Sequence, residues 1–394
     1  MAVRKSFAIL AAVALVSPAQ AESSAAWKVC IDTQYGPGRP QIEACTVVIE
    51  SPATAPADRA FAYYRRALAW TGVASNRILD DARNDIRNAI ADFTEAIKLN
   101  PKFTEAYLYR GYTWFAAGDH PRAVADFTAA IKLNPDLADA YLFRMAVYRQ
   151  GGQFGPAIAD MTEVIRIQPK DPRHYYERGQ LWIEEGNRER AAADFLRAIQ
   201  IDPKFREAYP ALGQLMVEMG EFDRAVSTYD RAIEARPYDL DLVMARGFVH
   251  FLRGAYPAAA DDFGKSLDIL AMGSSAGNDQ ARILAVIRYL AHTRAKQDAR
   301  AGLAAVAGRM KPPSLVIDLY LGRGSAEAAL KAAAGLGRDL CQTEFFVAHW
   351  HLLRGNRDEA RKYFQAANDR CRGQFNIYYW VGTAAAAELR YLQR

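Results

Sequence analysis

Histidine and cysteine are scarce in this chain, six and four residues respectively, and their placement excludes most site chemistry. His120, His174, His250 and His292 are scattered one per region. His349 and His351 stand two apart, so on a helix they point to different sides and cannot share a metal there. There is no Cys-x-x-Cys spacing, which disfavours zinc. No cluster of carboxylates, His or Cys has the spacing of a metal or acid–base site, so the chain reads as a non-enzyme with neither cofactor nor metal. Charge of one sign is lacking too. The formal net charge is +5, and without Arg4 and Lys5 it is 5 − 2 = +3. That excess is too small and too evenly mixed with acids to argue for nucleic acid.

Long hydrophobic runs are missing. The one apolar stretch, Phe7 to Val16, is about half of the roughly 20 residues that a membrane span needs. It follows Arg4-Lys5 and precedes Ala19-Gln20-Ala21, a small-x-small cleavage pattern. Residues 1–21 therefore read as a secretory signal cleaved after Ala21, and the expected location is the bacterial periplasm or outside the cell. No Cys follows the cleavage point, which disfavours a lipid anchor, and no integral membrane segment is left after cleavage. Two short motifs lack their context. Gly273-Ser274-Ser275-Ala276-Gly277 fits a nucleophile elbow, which needs a strand before it and a helix after; here it follows a helical repeat and reads as a loop. Gly264-Lys265-Ser266 falls mid-helix, without the earlier glycine of a phosphate loop.

What the chain does contain is a period. Pro101, Pro135, Pro169, Pro203 and Pro237 recur every 34 residues. With them run Tyr107, Tyr141, Tyr175 and Tyr209, then Gly118, Gly152, Gly186, Gly220 and Gly254. Ala123, Ala157, Ala191, Ala225 and Ala259 follow, each four residues before Phe127, Met161, Phe195, Tyr229 or Phe263. The tyrosine, the glycine four residues on and the next aromatic (Tyr107, Gly111, Trp114) share one stripe of a first helix. The mid-repeat glycine can end that helix in a left-handed conformation. The small alanine admits a second helix closely, and proline ends the pair. No pair can bury its stripe alone, so neighbours must stack. Arg110, Arg144, Arg178 and Arg246 keep company with Asp126, Asp160, Asp194 and Asp262, and where Leu212 replaces Arg, Thr228 replaces Asp. These read as ion pairs between the two helices, each of the exposed kind and of about 0.2 to 1 kcal/mol.

This frame resembles the tetratricopeptide repeat (TPR) family. The resemblance implies an all-α helix-turn-helix solenoid, a right-handed superhelix with degenerate terminal repeats and a C-terminal capping helix. The organisation expected is 1–21 signal, 22–59 a degenerate helix pair, and 60–273 six repeats. A degenerate helical segment, 274–340, and a final repeat with its cap, 341–394, complete it. The first repeat carries an insertion around Gly72 to Arg87, and the sixth has lost its proline to Ala271. In repeat register Cys45 stands where Phe93 does, with Cys30 in the preceding helix; Cys341 and Cys371 lie at adjoining ends of a helical hairpin. Pairs Cys30–Cys45 and Cys341–Cys371 would staple the two ends of the array, and four unpaired thiols are the alternative. The tail, Phe346 through Gly355 to Leu389, is similar to that of NlpI-type bacterial envelope TPR proteins, scaffolds for cell-wall hydrolases and a protease.

In the TPR family the first helices line a concave groove. Carried over, the groove positions are Tyr64, Leu68, Leu108, Tyr112, Phe115, Leu142 and Arg149, then Tyr176, Gln180 and Ile183, then Gln214, Val217, Met244, Phe248 and Phe251. The carboxylate clamp of co-chaperone TPRs is absent, because Leu108, Tyr112, Leu142 and Ala146 stand where polar donors belong. The expected function is an exported adaptor that binds a protein or peptide, such as a cell-wall enzyme or protease. A glycan or small-ligand receptor and a cytosolic scaffold are the alternatives. Self-association is open, since an unsatisfied solenoid end can pair with a copy of itself.

Overall fold

The computed structural model describes residues 18–32, 38–74, 79–272, 278–309, 314–334, 338–371 and 377–393. Residues 1–17 of the expected signal, the 273–277 loop and Pro312-Pro313 lie outside them. The described residues form helices and connecting turns, with no strand among them. They divide into two compact units, Met1–Gly186 and Asn187–Arg394.

The N-terminal unit holds α1 (Pro18–Ile31), α2 (Arg39–Glu50), α3 (Pro56–Ala74), α4 (Leu79–Leu99), α5 (Thr104–Ala116), α6 (His120–Leu133), α7 (Ala138–Gln150), α8 (Phe154–Ile167) and α9 (Pro172–Glu185). Helices α3, α5, α7 and α9 are first helices. Each of the first three packs on the second helix that follows it, and α3 also touches α5, and α5 touches α7. The C-terminal unit continues with α10 (Arg188–Ile201), α11 (Ala208–Glu218), α12 (Phe222–Ala235), α13 (Leu240–Leu252) and α14 (Tyr256–Met272). Then come α15 (Asn278–Arg294), α16 (Arg300–Arg309), α17 (Leu315–Leu321), α18 (Ala326–Ala334), α19 (Arg338–Leu353), α20 (Arg357–Cys371) and α21 (Ile377–Gln393). The fold is an all-α helical solenoid.

Local chemistry sets the boundaries. Asn134, just before Pro135, sits at φ −137°, ψ 95° where α6 ends, as the following ring demands. Its side chain accepts from the Asp136 N–H at 3.1 Å, and Asn100 and Asp202 accept likewise from Lys102 and Lys204. The residue before each of these prolines thus closes an Asx turn into the next first helix. Mid-repeat, Gly118, Gly152, Gly186, Gly220, Gly254 and Gly355 all have φ between 69° and 91°, which a side chain would resist. Where the proline is lost, α14 runs on through Ala271 to Met272. The extra residues of the first full repeat lengthen its helices to 19 and 21 residues, against 13 and 14 in the next.

Phe93, Phe127 and Met161 fill the slots between helices in the N-terminal unit, and Phe195, Tyr229, Phe263 and Phe364 do so in the C-terminal one; all are fully buried. The glycine opposite makes the room. A Cβ built on Gly111 would stand 2.8 Å from Phe127 Cε1, and one on Gly213 would stand 2.4 Å from Tyr229 Cζ. Cys30 is bonded to Cys45 and Cys341 to Cys371, with Cα separations of 4.8 and 5.8 Å. The first joins α1 to α2 and the second joins α19 to α20.

The arginine ladder differs from the sequence expectation in its burial. Arg110 donates twice to Asp126, at 2.8 and 2.7 Å, and Arg66–Asp92, Arg144–Asp160 and Arg246–Asp262 repeat the fork. The aspartates are buried and the arginines keep less than a fifth of their side-chain surface. The remaining Nη1 reaches back to the preceding repeat: Arg110 to Thr94, Arg144 to Thr128, Arg178 to Thr162. Arg246 meets Asp230 instead. Each of these arginines therefore bolts its first helix to the repeat before it, and the worth of an exposed pair does not apply.

Candidate protein-binding face

In the N-terminal unit the first helices present a run of partly exposed aromatic side chains. Tyr112, ninth residue of its repeat, is 46% exposed with its ring 5.3 Å from that of Phe143 on α7. Phe115 is half-buried beside His120, at 5.7 Å. Towards α3, Tyr64 meets Phe103 at 4.8 Å and Tyr109 at 6.0 Å, and Phe61 lies parallel to Phe103. Trp27 of α1 extends the row against Phe61. Burial pushes the Tyr64 phenol well up, so its hydroxyl stays neutral and able both to donate and to accept.

The α7–α9 end is polar. Arg149 forks onto Glu184 at 2.5 Å and reaches Glu177 at 3.6 Å, and the bonds it donates to Glu184 push the guanidinium further up. Gln180 donates to the Tyr176 hydroxyl at 2.8 Å, while Ile183 is exposed. One surface thus pairs apolar rings with fixed charges. It offers area and hydrogen bonds, the means of recognition. Among the described residues no group of three or more His, Cys, Asp or Glu could hold a metal, and no helix is long and apolar enough to cross a membrane.

Five expected groove residues are corrected by their burial, Val217 and Met244 at 6% and 2% exposed among them. Leu108 is 4% exposed, packed in a cluster with Ala140 and Val147 of α7, because neighbouring first helices touch along that line. Phe248 and Phe251 are 0% and 4% exposed, covered in the C-terminal unit by the chain's own tail. Trp380 of α21 lies over Phe248 with centroids 5.7 Å apart and planes 8° apart, and Tyr229 flanks it at 6.5 Å. His349 of α19 meets Phe251 edge-on at 6.2 Å. Leu142 is half-buried against the α8 cluster. Phe61, Phe103 and Tyr109 were missed, although Phe103 recurs in register with Leu137 and Phe205.

The tail is itself anchored by a buried charge. Arg294 of α15 donates to both Glu388 oxygens, at 2.9 and 3.0 Å, and His349 Nε2 stands 3.8 Å from the same carboxylate. Burial pushes Glu388 up against the pull of Arg294. Burial also holds His349 well below the ordinary histidine range, so the ring is neutral between Phe345 and Phe364, at 4.7 and 4.9 Å.

The tetratricopeptide repeat family matches residues 79–138 and 147–204, and again 183–246, so this part of the chain is built of tetratricopeptide repeats. No curated protein matches it significantly. Among solved structures it is similar to the C-terminal part of a TPR protein from Cytophaga hutchinsonii, at 18% identity and TM-score 0.50, over 64% of this chain and 96% of that one. It is also similar to a TPR protein from Parabacteroides merdae, at 14% identity and TM-score 0.38, over 83% and 99% of the two chains. A third is YrrB, a TPR protein described as having an unusual peptide-binding site, at 21% identity and TM-score 0.38, over 45% and 91%.

Proposed function

We propose that this chain is an exported, non-enzymatic adaptor that binds a protein or peptide on the first-helix face of its N-terminal unit. The observation that carries the reading is the exposure of Tyr112 within a row of aromatic side chains that the neighbouring repeats cover only in part. Aromatic rings of this kind, with arginine, are the residue types that dominate protein interfaces. Export is supported by the two disulfides, since such bonds persist in oxidising compartments, and by the signal pattern of residues 1–21. An envelope role, such as bringing a cell-wall enzyme or protease to its place, rests on the sequence similarity of the tail to NlpI-type proteins.

The test is affinity capture from an envelope extract with residues 22–394, beside a Tyr112→Ala, Phe115→Ala variant. The reading expects a small set of envelope proteins that the variant loses and that then bind the purified chain directly. Retention of the same set by the variant would refute this face as the site. Secretion of the full-length chain with its new N-terminus at Glu22 tests the export part.

A further inference from the structure

The two units hold the same register in different states, and the comparison identifies what the open face fits. Phe248 and Phe251 are the ninth and twelfth residues of their repeat, as Tyr112 and Phe115 are of theirs. In the C-terminal unit both are covered, by α21 and α19; in the N-terminal unit Tyr112 is 46% exposed. The chain thus carries an occupant on its own first-helix face, and that occupant is an α-helix.

Its design is legible. Trp380, Val381, Ala384, Ala385, Glu388 and Leu392 of α21 are buried. They make one stripe, with offsets 0, 1, 4, 5, 8 and 12. Arg390 and Tyr391 on the other side are exposed. Trp380 sits over the ninth-position ring, while the rest of α21 packs mainly against α20. Tyr112 offers the same aromatic platform for such a ring.

Resting on the binding face proposed above, we propose that this face takes an amphipathic α-helix of a partner protein, built like α21. It carries one aromatic anchor over Tyr112, as Trp380 lies over Phe248.

The probe is a fluorescein-labelled, end-blocked peptide of the sequence of residues 374–393, titrated into the full chain by fluorescence anisotropy. Tethering gives α21 a large local advantage at its own seat, so free peptide reports the open face. The expected result is saturable binding with Kd on the order of 10–100 µM, weakened at least tenfold by Tyr112→Ala in the protein. Trp380→Ala in the peptide should weaken it as much, and Ala385→Pro, which breaks the helix, should abolish it. No binding at about 1 mM overturns the proposal. So does equal binding to the Tyr112→Ala protein, since the peptide then sits elsewhere. If the proline peptide binds as tightly and still depends on Tyr112, the helical occupant is refuted while the binding face itself stands.

Discussion

Removing one aspartate of the ladder measures how far burial raises the worth of an ion pair. Asp160 keeps 4% of its surface and receives Arg144 at 3.0 and 2.7 Å, while the third arm holds Thr128 at 2.8 Å. Asp160→Ala leaves a buried guanidinium with that single hydroxyl. Breaking a buried pair this way costs about 3 to 5 kcal/mol. Arg144 retains 16% of its side-chain surface and can partly rehydrate, so about 3 kcal/mol is expected. The comparison is Glu184→Ala, whose Arg149 pair is 41% and 30% exposed and is worth about 0.2 to 1 kcal/mol. Repeat arrays need not unfold all at once. Urea titration should therefore be read together with hydrogen exchange of the α7 and α8 amides. Replacing both partners, Arg144→Met with Asp160→Leu, should recover most of the loss, because no charge is then stranded. If Asp160→Ala costs under about 1 kcal/mol, no more than Glu184→Ala, the claim that burial governs this ladder fails.

Three further outcomes follow from other parts of the molecule. Gly213→Ala sets a methyl group against the Tyr229 ring and should lower stability by about 1 to 3 kcal/mol, with Gly213→Ala, Tyr229→Leu partly restoring it. Reducing Cys30–Cys45 and Cys341–Cys371, which span 15 and 30 residues, should remove about 3 and about 3.6 kcal/mol respectively by the chain-entropy relation. Calorimetry of single Cys→Ser variants separates the two. Burial holds His174, His250, His349 and His351 below the ordinary range. As pH falls below about 6.5 the unfolded chain protonates first, so stability declines. The raised carboxyls of Glu344 and Glu388 act oppositely, losing stability as pH rises from the ordinary Glu value through their own. His349→Leu should flatten the acid-side decline between pH 7 and 5; an unchanged slope by urea titration excludes His349 as a contributor.

The repeat frame is local chemistry, and it was legible. Proline after an Asx residue, glycine at the left-handed turn and the alanine–aromatic slot each act within one repeat, so the period displays them. The third arm of the ladder was legible in principle, since Thr94, Thr128 and Thr162 stand 16 residues before Arg110, Arg144 and Arg178. Its burial was not, because pairwise spacing does not show how much water a neighbouring repeat excludes. Leu108 shows the same limit on the face itself. Its position matches a groove residue, yet contact with α7 takes it out of reach.

The amino-acid order alone determined the all-α repeat architecture and the scarcity of reactive groups, because these depend on residues within about one period; that the four cysteines pair was decided by the structure. Which first-helix positions stay exposed was decided only in three dimensions. Phe248 and Trp380 are more than a hundred residues apart, and nothing periodic connects them. Their contact is a non-local packing event, held by α20 behind α21 and by Arg294 beneath Glu388. It covers Phe248, as His349 of α19 covers Phe251, and the register-matched Tyr112 stays exposed.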